Sequence, residues 1–83
     1  MSRRRSDEVI REAELVTIGE LVRLSGQRYS TLKHYVERGL LPFEQEDTNL
    51  TRRFRRVESL AIIERILALR ANGKSLNEIE QIL

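Results

Sequence analysis

Between Thr17 and Leu41 the sequence TIGELVRLSGQRYSTLKHYVERGLL sets two short amphipathic segments on either side of a Ser-Gly break. Thr17, followed three residues later by Glu20, fits a capping box. In that motif the hydroxyl and the carboxylate each accept from a backbone N–H left free at a helix start. Ile18, Leu21, Val22 and Leu24 recur at helical spacing and give one apolar face. Ser25-Gly26 ends this helix, because glycine adopts the left-handed conformation that a sharp exit needs. The second helix starts almost at once. Its Leu32, Tyr35 and Val36 face inward, leaving Thr31, Lys33, His34, Glu37 and Arg38 for the opposite side. Gly39 closes it, and Pro42 lies just beyond. Two helices joined this way are either a plain helical hairpin in a small bundle or a helix-turn-helix, whose second helix enters the DNA major groove.

Composition narrows the classes. A chain of 83 residues with 40% apolar and 34% charged side chains suits one small, soluble, mainly helical domain. With no Cys and one His, no disulfide, thiolate zinc site or thiol nucleophile is available, and no metal site is expected. No nucleophile–base set, phosphate-binding glycine loop or evident carboxylate pair occurs, so no catalytic residue and no cofactor are expected. No apolar run reaches membrane-spanning length, and Arg3-Arg4-Arg5 is followed by acids rather than an apolar signal segment. A cytoplasmic, nucleoid-associated location is the default. Net charge is only +2, but it is unevenly placed: zero over residues 1–27, +3 over 28–56 and −1 over 57–83. The positive excess coincides with the second helix and the segment after it, as a local DNA-binding face requires.

That following segment has a pattern of its own. Phe43 to Arg55 reads as a β-hairpin wing, with Glu44 to Asn49 as its turn-rich polar part. Alternation around Phe54 sends the flanking arginines to the other face. Arg52, Arg53, Arg55 and Arg56 fall within five positions, and guanidinium groups grip phosphate oxygens bidentately. Pairing with Glu44, Glu46 and Asp47 across the hairpin is the competing use of the same arginines. A third helix begins near Val57 or Glu58. Its broad apolar surface comprises Leu60, Ile63, Ile66, Leu67 and Leu69, widened by Ala61 and Ile62, and Asn72-Gly73 ends it. Ser75 and Glu78 form a second capping box, opening a fourth helix with Leu76, Ile79, Ile82 and Leu83 on one stripe. That stripe runs to the last residue with no closing cap. Either the chain is a piece of a longer protein, or its end packs on a partner.

The order helix, helix, wing, helix, helix resembles the DNA-binding domain of the MerR family of bacterial transcription regulators. Ile18-Gly19-Glu20, Gly26, Thr31-Leu32-Lys33-His34-Tyr35 and Gly39-Leu40-Leu41 match the family's IGE-x-A-x-x-x-G-x-x-x-x-TLRYYE-x-x-GLL in order and spacing. Gly73 to Ile79 matches its later Gly-x-[ST]-x-x-E-I. The resemblance covers about Thr17 to Leu83. It implies a mainly α, winged helix-turn-helix fold over 17–83, preceded by a basic arm and an additional N-terminal dimerisation helix within 1–16.

The resemblance also implies a dimer on double-stranded DNA carrying an inverted repeat. Arg28, Ser30, Thr31, Lys33, His34 and Tyr35 would serve on the recognition helix, and Arg52, Arg53 and Arg55 on the wing. RNA polymerase or a regulatory protein would be a further partner. Tyr35 has two readings, a hydroxyl on phosphate or a ring wedged into the core.

This chain departs from the family pattern at several places. Lys33 stands where the family usually has Arg, so it meets its target as a point charge rather than a fork. His34 replaces the first Tyr, and Arg28 replaces the usual Ser or Thr cap. The wing's Arg-x-Tyr aligns either with Arg52-Arg53-Phe54 or with Arg53 and Arg55. Without cysteines, mercury or redox sensing does not carry over. The short nitrogen-regulator branch, which lacks a sensor domain and dimerises through an N-terminal segment, is the better analogy. On it, Asp7 to Leu15 forms a helix capped at Ser6, with Val9, Ile10 and Ala13 as the dimer face, or else is a frayed tail; with the helix, Arg3-Arg4-Arg5 is a disordered arm near DNA or merely solubilising. Two other functions suit the residues: a DNA accessory or architectural protein (excisionase, packaging or chromosome organisation), and a protein-interaction module that does not bind DNA.

Overall fold

Side-chain caps written into the sequence start three of the five helices, at Ser6, Thr17 and Ser75. The computed structural model describes residues 4–83; Arg3, the first residue of the expected basic arm, lies outside the described residues. Helix α1 (Asp7–Glu12) leads into strand β1 (Leu15–Val16), then helices α2 (Ile18–Ser25) and α3 (Tyr29–Glu37). Strand β2 (Phe54–Arg55), helix α4 (Arg56–Ala71) and helix α5 (Leu76–Ile82) follow. The Glu20 backbone N–H donates to the Thr17 hydroxyl at 3.2 Å, and the Thr17 N–H donates to the Glu20 carboxylate at 2.9 Å, closing the capping box of α2. Ser75 and Glu78 close the same box on α5. Each such cap stabilises by about 0.5–2 kcal/mol. Gly26, at φ 74°, turns the chain out of α2, a conformation in which a side chain would be strained.

One buried cluster unites the elements. Leu21 from α2 meets Leu32, Tyr35 and Val36 from α3, Ile63 and Ile66 from α4, Ile79 from α5, and Val16 and Phe54 from the strands. The inward face expected for α3 is the one observed. The four main helices and the wing form a winged helix-turn-helix, with α2 and α3 packed on each other and α4 behind α2.

Three expectations are corrected. The N-terminal helix does not reach Leu15: it ends at Glu12, and Leu15-Val16 become a strand paired antiparallel with β2, Leu15 opposite Arg55 and Val16 opposite Phe54. Val16 is β-branched and Thr17 caps the next helix, so the chain is extended between the two helices. The expected wing hairpin over 43–55 is reduced to one bridge, Glu44 to Arg53, with N–H···O bonds of 2.7 and 2.8 Å. Asp47 accounts for this. Its carboxylate accepts from the Asn49 N–H and its carbonyl from the Leu50 N–H, while Gln45 donates to the Leu50 carbonyl. These local bonds satisfy backbone that a longer ladder would otherwise use. Finally, α4 starts at Arg56 and buries Ser59, Ile63 and Ile66, leaving Ala61 and Leu67 exposed. A helix apolar on most sides does not reveal from periodicity which side is inward.

Candidate nucleic-acid interface

Helix α3 is held at both ends of its support. Behind it, Arg38 donates to the Glu80 carboxylate at 2.6 and 3.2 Å and to Asn77, tying the end of α3 to α5. That guanidinium, with some help from His34, holds the Glu80 carboxyl below its usual range. Below it, Glu20 of α2 receives two bonds from Arg5, at 2.7 and 2.6 Å, and Arg5 also donates to the Leu15 carbonyl. Arg5 first, and then the Thr17 N–H, bring the Glu20 carboxyl down to about 2. Arg23 of the same helix donates to the Arg5 carbonyl at 2.7 Å and pairs with Asp7. Arg5 of the expected disordered arm is therefore held in place, bonded on both its side chain and its carbonyl.

The exposed side of α3 faces the wing across an open groove of about 420 Å³. Tyr29 and Lys33, one helical turn apart, line one wall; Gln45, Thr48, Leu50 and Arg52 line the other. Arg52 lies 4.5 Å above the Phe43 ring, and that ring packs on Phe54 with centroids 6.0 Å apart. Phe54 is buried against Val16, so the aromatic pair fixes the wing to the core and the stacking holds the Arg52 guanidinium in place.

The residues expected at the interface therefore divide. Lys33 and Arg52 meet in the groove; Arg28 and Ser30 are exposed at the start of α3, and Thr31 is half-buried. His34 is exposed on the side toward Glu80. Tyr35, 3% exposed, has its ring in the core, the second of its two readings. Arg53 and Arg55 point outward on either side of Phe54, as alternation requires. Arg55, however, pairs with Glu44 at 3.2 Å and Glu14 at 3.4 Å. Arg56 turns back, its side chain donating to the Ala13 carbonyl at 2.8 Å and its N–H to Glu14.

Of the residues expected to dimerise, Ile10 is fully buried in its own chain and Ala13 packs against the core, leaving Val9 exposed. Tyr29, 53% exposed, was missed. Its spacing to Leu32 and Val36 fits the core face as well as the groove, so only the wing's position decides its exposure.

No helix among the described residues is long and apolar enough to cross a membrane, and no cluster among them has three metal-ligating side chains. The family model described as MerR HTH family regulatory protein matches residues 16–83. No curated protein and no solved structure matches the chain.

Proposed function

The chain belongs to the MerR HTH family of regulatory proteins, a DNA-binding family of transcription regulators, and from that premise we propose that it acts as a dimer on an inverted-repeat operator. Helix α3 enters the major groove with Tyr29, Ser30 and Lys33 toward base edges, and the wing follows the adjoining phosphates with Arg52 and Arg53. The observation that carries this reading is the juxtaposition of Lys33 and Arg52 on facing walls of one open groove. A cation on the rigid helix and another on the wing give the site two points of register on a duplex. Val9 is the member of the N-terminal apolar face left for a dimer contact.

Selection of bound sequences from a random DNA library tests the whole reading. The expected result is one palindromic motif, with half-site spacing that reports the dimer and affinity that falls as salt rises. Recovery of a single unrepeated half-site would rule out the dimer, and recovery of no motif would rule out sequence-specific recognition.

A further inference from the structure

The arm preceding the matched family region contributes its own basic wall. A second groove, of about 640 Å³, is lined by Arg4, Arg5, Arg23, Arg53 and Glu20. It shares the lining residues Thr17 and Thr51 with the groove between α3 and the wing. Its four arginines are not equivalent. Arg5 is neutralised by Glu20 and Arg23 by Asp7. Arg4 and Arg53 form no ion pair among the described residues; Glu44 stands opposite Arg53 across the bridge, so Arg4 is the less compensated of the two. On the far side of Arg53 a different groove is lined by Glu44 and Glu46, which repels an anion. Arg53 and Thr51 line both grooves, so a polyanion leaving the helix–wing groove meets attraction along the arginine wall and repulsion along the wall of Glu44 and Glu46.

We infer that the Arg4–Arg53 groove carries the phosphate backbone of the duplex beyond the bases that α3 reads. The inference rests on the DNA-binding reading above and extends it to a residue outside the matched region 16–83. Arg4 holds its place through its neighbour. Arg5 is fixed by Glu20, by the Leu15 carbonyl and, at its own carbonyl, by Arg23. Its arginines meet the duplex as phosphate ligands, so the groove's contribution is to affinity on every sequence and to salt dependence.

The test is a set of anisotropy titrations of the full chain between 50 and 200 mM KCl, on the selected operator and on a scrambled duplex. Each phosphate contact makes affinity fall roughly a further threefold over that range. Arg4→Gln is expected to lower the slope of log affinity against log salt by about one on both duplexes, and Arg4→Gln with Arg53→Gln by about two. Arg11→Gln, an exposed charge on α1 away from the groove, is expected to leave the slope unchanged. An unchanged slope for Arg4→Gln, with the wild-type chain binding normally, overturns the groove and leaves the DNA-binding function standing. An equal fall for Arg11→Gln also overturns it, because the effect then reflects net charge alone. Absence of wild-type binding to any duplex overturns the functional reading and the groove together.

Discussion

The recognition helix and the wing carry their positive charge in opposite ways. The exposed cations Arg28, at the N-cap of α3, and Lys33 within it make no ion pair among the described residues. The wing is far richer in arginine, yet Arg55 is shared between two acids, Arg56 is bonded to the backbone of residue 13, and Arg52 stacks on Phe43. Among the described residues Arg53 makes no side-chain hydrogen bond, ion pair or ring contact, and Arg52 keeps its charge open to the groove while stacked. Density of arginine in a sequence therefore overstates the charge offered to a ligand. On a short strand, alternation sends Arg53 and Arg55 outward together, where the neighbouring strands supply Glu14 and Glu44. On the helix, the exposed face meets open solvent.

The largest test of this contrast removes the wing's anchor. Phe54→Ala should destabilise the fold by about 3–5 kcal/mol, read from the urea midpoint, since Phe54 is fully buried between Val16 and Phe43. A loss below 1 kcal/mol would mean that the wing is held by its polar loop instead. Next, Lys33→Ala should cost about 1–3 kcal/mol on the selected operator and broaden preference at one base position. A uniform loss on all sequences would move Lys33 to phosphate, and the helix would then resemble the wing.

Acid should act on the support under the helix. The Glu20 carboxyl sits at about 2 when folded against an ordinary value of 4.5, so the folded state favours its ionised form. That contribution is complete above pH 4.5 and is lost as pH falls toward 2. With allowance for solvent around the half-exposed Arg5, it amounts to about 1–2 kcal/mol. Thermal unfolding midpoints should drop through that window, and Glu20→Gln should flatten the drop. A variant that falls as steeply as the wild type would assign the acid sensitivity to other carboxylates.

The smallest effect separates two wing arginines. Arg53→Ala should lower the salt slope of DNA binding by about one on every sequence. Arg55→Ala should lower it by clearly less, because Arg55 must leave Glu14 and Glu44 before it meets a phosphate. Equal slopes for the two variants would break the distinction between engaged and unengaged arginines.

Much of the fold was legible because it is local. Both capping boxes, the glycine exits at Gly26 and Gly39, and the inward face Leu32, Tyr35 and Val36 depend on residues within a turn of one another. The site was legible in part. Lys33 and Arg52 could be picked out as cations on a helix and a wing, but Tyr29 could not, because its spacing suits the core equally well. The strand at Leu15–Val16 was hidden for another reason: two residues are too few to show a period, and its partner lies about forty residues away.

The sequence by itself determined where α2 and α5 start, where the glycine exits end α2 and α3, and which faces of α2 and α3 turn inward. Those follow from hydrogen bonds and apolar spacing that close within a few residues. Only the tertiary structure decided which charges remain available. Arg5 with Glu20, Arg38 with Glu80, and Arg55 with Glu14 are separated by 15 to 42 positions in the chain. Ion pairs of that range exist only once packing has brought their elements together. That packing also holds Arg5, the last arginine of the expected disordered arm, against Glu20 and Arg23.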